Sequence, residues 1–340
     1  MSNQMNRWKN RPEGSNWGDF GPDDQLGRLN LITAEKVKQG IAEVREGRTF
    51  CLSLPLDYPG GNVLSPVRFP PQLKPVIRQG GPYYNYQWRQ ADPRLTDVAA
   101  DDVALLHLQY STQWDSLAHR GSMFDADEDG NPEPVYYNGF RAGQDVHMDE
   151  AQQVSARRLG IEGMAVHGVQ GRGVMVNLRS HCGEQPQVEV GYDRLMQIME
   201  MDDVSVEQGD ILCLWTGLDQ LIMKAGGQPD VALKHRCAVL DGWDDRLLRW
   251  IDDSGVAAIA SDNIAVEAIG KAIPDSYCGS NLPLHELCLF KLGIHLGELW
   301  YLAELAEWLI AHRRSRFLLT APPLRLTGAV GSPVTPIATV

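Results

Sequence analysis

Leu108-Gln109-Tyr110-Ser111-Thr112-Gln113-Trp114-Asp115-Ser116-Leu117-Ala118-His119 gathers amides, a carboxylate and an imidazole in one short stretch. The run Val103 to Leu108 just before it reads as a strand, nearly all apolar and so expected to be buried on both faces. Polar groups that leave the end of such a strand together can converge on one point, where open α/β folds place their chemistry. A second reading is equally physical: an Asp and a His four residues apart pair or cap on a helix. From the segment alone, both remain open.

Two Gly- and Pro-rich stretches bracket it, Pro59 to Pro82 and Gly121 to Gly143. Ordered loops of that length commonly bind ligands or cover active sites. Further out, helix and strand signals alternate. Thr33 followed by Glu35, with Val37, Ile41 and Val44 on one face and Gly47 beyond, predicts a capped helix. Phe50 to Leu56 reads as a strand, and Asp210 to Gly217 as a short buried strand ended by glycine. Trp243 to Asp253 has helical spacing, and Gly255 opens a strand from Val256 to Ala260 that ends in the polar cluster Ser261-Asp262-Asn263. That cluster suits chemistry at a strand end or a simple turn. A helix over Tyr301 to Ala311 and a strand over Arg316 to Leu319 complete the pattern. It predicts one α/β or α+β domain over residues 1–340, with an N-terminal arm over about 1–33 and a C-terminal tail over about 322–340.

Composition narrows the function. The 340 residues carry 31 Lys+Arg against 44 Asp+Glu, a formal charge of −13. The densest basic cluster is Arg313, Arg314 and Arg316, too small a patch for a nucleic-acid binder. A net negative field also disfavours anionic membrane surfaces. No stretch reaches the ~18 apolar residues of a membrane span, and the first thirty residues hold no apolar leader segment, so a cytoplasmic protein is expected. Six cysteines without a C-x-x-C pair argue against a zinc ribbon or a disulfide framework and read as buried small hydrophobes.

Several tempting motifs fail on inspection. Asp125-Ala126-Asp127-Glu128-Asp129-Gly130 opens like an EF-hand loop, but Tyr136 stands where the bidentate glutamate belongs, so an acidic solvated turn is expected. Gly168-Val169-Gln170-Gly171-Arg172-Gly173 lacks the dinucleotide-binding register. Neither G-x-S-x-G nor H-E-x-x-H occurs.

The opening stretch resembles the signature of the cyclase family, which includes bacterial kynurenine formamidase, isatin hydrolase and trans-dienelactone hydrolase, and whose pattern is H-x-G-T-H-x-D-x-P-x-H. Thr112, Asp115 and His119 match it, whereas Gln109 and Gln113 stand in place of two metal-binding histidines, Ser111 in place of glycine and Leu117 in place of proline. The T-Q-W-D form resembles a longer branch of the family. Further similarity lies in Gly21 to Thr33, Gly171 to Val174, Gln208 to Ile211 and Gly328 to Pro333. His285 and Glu298, thirteen residues apart, match the family's downstream metal ligands.

This resemblance implies the cyclase-like three-layer β/β/α fold with a central mixed sheet, in a homodimer or homotetramer. It also implies a metal site of Gln113, Asp115, His285 and Glu298 for Zn²⁺ or Mn²⁺. Amide oxygen is a harder, weaker donor than imidazole, which tilts the preference toward Mn²⁺, and glutamine at 109 favours one ion per subunit over two. Asp115 and His119 are the implied catalytic residues, with His119 as general base and acid, a role suited to an imidazole titrating near ~6.5. Gln109 or Gln113 is a candidate hydrogen-bond donor to a tetrahedral oxyanion. Gln109, Trp114, Trp17 and His181 are candidate substrate contacts, with core packing the alternative for the tryptophans and a structural role for His181.

The function expected is metal-dependent hydrolysis of a C–O or C–N bond in a small cyclic or aromatic lactone, amide or imide. Arylformamidase activity of the kynurenine formamidase type is the alternative within that class. Outside it, the rival is a non-catalytic small-molecule binder that kept the fold and lost the metal.

Overall fold

The structure, a computed structural model, describes residues 7–340. At its centre is a nine-stranded sheet. In chain order the strands are β1 (Thr49–Cys51), β2 (Gln113–Asp115), β3 (Gln170–Asn177), β4 (Ile211–Trp215), β5 (Ala258–Ser261), β6 (His295–Glu298), β7 (Arg316–Thr320), β8 (Gly331–Pro333) and β9 (Ile337–Thr339). Across the sheet the order is β1-β9-β7-β3-β4-β5-β6-β2-β8. Strands β3 to β6 are parallel neighbours, and the remaining pairs are antiparallel. The mixed central sheet expected from the sequence is therefore present.

Local signals explain most of the helices around it. Helix α1 (Ala34–Ala42) starts at Thr33, whose hydroxyl accepts the Lys36 N–H at 3.3 Å. Strand β4 is buried along its whole length because both faces are covered. Leu212 and Leu214 pack with Leu195 and Ile198 of α2 (Tyr192–Met201) and with Leu247 and Ile251 of α3 (Asp245–Ser254). Ile211, Cys213 and Trp215 face the other way, onto Leu305, Ala306 and Leu309 of α4 (Ala303–Ala311). Asp244 caps α3 through the N–H groups of Arg246 and Leu247, and Gly255 ends it at φ +66°, a conformation that favours glycine.

The last two strands show how strongly the sheet curls. β8 pairs with β2 at one end of the order while β9 lies between β1 and β7 near the other. In a flat sheet seven strand spacings of ~4.8 Å would hold them about 34 Å apart. Only Val334, Thr335 and Pro336 join them, a link that spans about 14 Å when extended. Closure is tied by Leu52 N–H to the Pro336 carbonyl at 2.8 Å and by Val334 N–H to the Thr112 carbonyl at 3.1 Å.

One expected core strand lies elsewhere. Asp102–Leu105 is fully exposed and pairs antiparallel with Gln72–Pro75 in a ribbon that continues through Tyr86–Gln87 with Val98–Ala99. None of residues 65–109 is buried. The apolar run was read as core because periodicity cannot distinguish a buried strand from an apolar strand on a projecting arm. The stretch Pro59 to Pro82, read as a loop, supplies the other side of this arm, with Arg78 placed 4.5 Å from the Trp88 ring centre. Within Gly121 to Gly143, Ser122–Phe124 pairs with Glu133–Val135 as a hairpin.

The polar cluster after β5 is structural. Asp262 accepts the Thr216 and Gly217 N–H groups at 2.8 and 2.7 Å, and Asn263 bonds the backbone of Ala238 and Val266. In the acidic turn, the Asp125 carboxylate accepts the Asp129 and Gly130 N–H groups. It is an acidic turn closed on its own backbone, with Asp129 exposed and Asp125 and Asp127 half-buried.

Candidate metal centre

Pleating sets up the site. On β2, side chains alternate, so Gln113 and Asp115 share one face and Trp114 takes the other. Glu298, the last residue of β6, is the register partner of Gln113, which brings the two side chains together. The Gln113 amide donates to Glu298 Oε2 at 2.9 Å and lies 3.5 Å from Asp115 Oδ1. Thr112 fixes this junction, accepting the Leu54 N–H at 2.9 Å and donating to the Leu299 carbonyl at 2.5 Å. After Asp115 the chain turns, with His119 N–H on the Ser116 carbonyl at 3.0 Å. The helical reading of Asp115 and His119 is thereby displaced by a strand followed by a turn.

His285 arrives from the opposite side, at the end of the short helix Pro283–His285. Its Nδ1 donates to Glu267 Oε1 at 2.7 Å, leaving Nε2 3.3 Å from Glu298 Oε1. Ligand atoms of Asp115, His285 and Glu298 lie within 4.8 Å of one another, and all three residues are buried. His119 Nε2 stands 3.7 Å from Asp115 Oδ2, and its side chain is 23% exposed against 1% for Asp115. It is the member of the group that reaches solvent.

Electrostatics reflects this crowding. Burial pushes the Asp115 carboxyl up to about 6, with Glu298 adding to the rise and His119, His285 and Arg68 opposing it. Burial would depress His285, but hydrogen bonds to Glu267 and Glu298 outweigh it and raise the imidazole to about 9. Behind β2, His295 donates Nδ1 to the Asp115 carbonyl at 3.0 Å, and burial pushes its pKa down to about 4. That makes it a neutral core histidine.

The residues fit a divalent cation. Asp115 Oδ2 and Gln113 Oε1 are buried without a hydrogen-bond partner, an expensive state for two oxygens that a cation would relieve. Two carboxylates, an imidazole held by an outer carboxylate and an amide oxygen form a donor set suited to Zn²⁺ or Mn²⁺.

Other expected contacts are dispersed. Trp17 is 1% exposed, bonded through Nε1 to the Phe290 carbonyl and packed edge-on against Phe290, so it belongs to the core. Trp114 is fully buried on the far face of β2, with its ring edge-on to Trp300 and Nε1 on the Ala321 carbonyl. His181 pairs with Asp202 at 2.9 Å, a structural contact outside the cluster. Gln109 does lie against the centre: its Nε2 occupies the space of a side chain at Gly331, the register partner of Asp115. Sequence reading missed Glu267, a lone carboxylate within Ala265-Val266-Glu267-Ala268. Such an isolated acid among apolar neighbours was the available signal.

Residues 52–268 match the family model described as "Putative cyclase". Among solved structures, one described as a novel cyclase is 30% identical over 96% of this chain and 99% of that chain, with a TM-score of 0.75. Isatin hydrolase A from Ralstonia solanacearum is 14% identical over 89% of this chain and 95% of that one, with a TM-score of 0.55. The enzyme of that name from Labrenzia aggregata, bound to benzyl benzoate, is 12% identical over 89% and 97%, with a TM-score of 0.54. At that identity the likeness of the last two is one of fold. A search of curated proteins returns no match.

Proposed function

The chain belongs to the family described as "Putative cyclase", and from that premise we propose that it is a metal-dependent hydrolase of a C–O or C–N bond in a small cyclic or aromatic lactone, amide or imide. The observation that carries this reading is the convergence of buried Asp115, His285 and Glu298 beside a partly open His119. Asp115, His285, Glu298 and the Gln113 oxygen would hold one Zn²⁺ or Mn²⁺, which when bound supplies Lewis acidity and lowers the pKa of water toward neutrality. His119 takes the proton of the attacking water and returns it to the leaving group. Asp115, 3.7 Å away, favours the imidazolium that forms. Because the Gln113 amide hydrogens face Glu298 and Asp115, Gln109 is the free amide donor at the site.

A metal-free binder is the second reading, favoured by the two glutamines at family histidine positions. Metal analysis of protein prepared without chelator, repeated on Asp115→Ala and His285→Ala, separates the two. A screen of lactones, N-formyl anilines and cyclic imides with Mn²⁺ or Zn²⁺ then tests the activity, arylformamidase action included. Folded wild type that takes up neither ion rules out the hydrolase.

We also infer assembly into a homodimer or homotetramer through the arm. Two-stranded ribbons are marginal in water, yet this one exposes Leu73, Ile77, Val98, Val103 and Leu105. Residues 65–109 carry five cations against four carboxylates, close to neutral on a chain of charge −13, so two copies can meet there without strong like-charge repulsion. No helix among the described residues is long and apolar enough to cross a membrane. Six unpaired cysteines support a reducing, cytoplasmic setting.

A further inference from the structure

The base of the arm returns to the candidate metal centre. Tyr110 ties the loop that precedes Arg68, accepting the Gly60 N–H and donating to the Gly61 carbonyl, both at 2.9 Å. Arg68 is thereby set beside Gln109, with Nη1 on the Gln109 carbonyl at 2.7 Å. That is its only side-chain hydrogen bond, and it has no carboxylate partner among the described residues. Gln109, whose carbonyl it holds, sets its own Nε2 against Gly331, the register partner of Asp115.

A second donor stands next to it without a partner. Gln109 Nε2 is buried and makes no hydrogen bond. Arg68 and Gln109 line one small recess with Ser65, Tyr110, Ile264 and Leu299, and Leu299 directly follows the candidate ligand Glu298. Arg120, the cation that follows His119, is engaged by the side chain of Asn281 instead. A guanidinium whose other N–H groups are unpaired, beside an amide donor without a partner, suits a planar anion. On a chain of charge −13 a fixed cation here also removes the local penalty for a negatively charged ligand.

We propose that Arg68 and Gln109 form a carboxylate subsite beside the candidate metal centre, so that the molecule hydrolysed carries a carboxylate as well as its scissile bond. This rests on the hydrolase reading only for the second clause. The subsite itself is a binding property, testable without turnover.

Isothermal titration of the purified protein with benzoate and with benzamide tests it. The expected result is benzoate bound about tenfold more tightly than benzamide, a preference erased by Arg68→Met and largely kept by Arg68→Lys. Near-ultraviolet circular dichroism checks that each variant is folded. Equal affinity for the two probes overturns the proposal. So does benzoate affinity unchanged in Arg68→Met, as a carboxylate bound only by the metal would give, or loss in Arg120→Met instead. Formanilide and N-formylanthranilate, assayed in parallel with Mn²⁺, share a scissile amide and differ by one carboxylate. If neither is hydrolysed while Arg68-dependent benzoate binding persists, the subsite stands and the hydrolase reading loses support. If both are hydrolysed at a ratio that Arg68→Met leaves unchanged, the hydrolase stands and the subsite falls.

Discussion

Glu267 grips His285 twice through one oxygen, accepting from its backbone N–H at 2.8 Å and from its ring Nδ1 at 2.7 Å. The second oxygen accepts the Leu284 N–H at 3.1 Å, so the carboxylate is locked before it orients the ring. Ring tautomer and direction are both fixed, and Nε2 is presented to Glu298. Glu267→Gln keeps the shape but removes the charge that raises imidazole basicity. Affinity for Mn²⁺ or Zn²⁺ should fall about 10- to 100-fold, measured by competition with a chelating dye. An unchanged affinity would show that His285 is not a ligand.

Gln113 separates two buried carboxylates, with its amide hydrogens facing Glu298 and Asp115. Gln113→Glu places a third acid there. Metal-free protein should lose about 3 kcal/mol in urea unfolding, because an unpaired buried charge has no counterion. Saturating Mn²⁺ should recover most of that loss, whereas a deficit indifferent to metal would place the cation elsewhere.

His119 reaches solvent and touches the cluster only through Asp115 at 3.7 Å. His119→Ala is expected to keep its metal content and to lose roughly 10²- to 10⁴-fold in kcat. Metal stoichiometry and turnover measured on one preparation distinguish this from a ligand, whose removal lowers both.

Asp219 and Asp262 form a second buried pair, with the Asp219 N–H on Asp262 Oδ2 at 3.4 Å. Burial raises both above the ordinary value of 3.8, Asp262 well above it, with Asp219 as its next cause. A carboxyl with a raised folded pKa holds a proton that the unfolded chain releases. Its contribution to stability is therefore present at low pH and is lost as pH rises toward the folded value. Asp262→Asn cannot titrate, and an amide cannot accept from both Thr216 and Gly217, so the variant should be less stable throughout. Its deficit in melting temperature should narrow between about pH 5 and about pH 8. Parallel melting profiles would refute the raised Asp262 carboxyl.

The arm can be removed at its base, because Gln72 and Leu105 are register partners. Replacing residues 73–104 with a two-residue turn should leave a folded chain, since none of those residues is buried. Light scattering should then report a monomer where the full chain reports a dimer or tetramer. An unchanged mass would assign assembly to another face.

Legibility in the sequence followed the range of the interactions. Thr33, Asp244 and Gly255 act on groups within a few residues, and their helix boundaries could be read locally. Asp115, His285 and Glu298 were found through a family pattern, and the structure brings them to one point although the chain between them builds three strands of the sheet. Glu267 carries no such pattern, and its role exists only once Pro283–His285 packs against it. The misplacement of Val103 to Leu108 has a different origin: an apolar strand has the same composition whether it meets its own core or another surface. Trp114 was avoidable, since residues adjacent along a strand cannot share a face with Asp115.

The short link from β8 to β9 also bears on how the molecule assembles. Phe50 must find Ala338, and Asp115 must find Gly331, both across most of the chain. Pairings so distant in sequence form slowly, because a large loop has to be closed before any contact offsets its entropy. Neither edge of the sheet is complete until one nine-residue segment has settled on both. Refolding of this chain is therefore expected to show a late phase in which sheet closure and competence to bind metal appear together, the final clasp being the step that makes the protein functional.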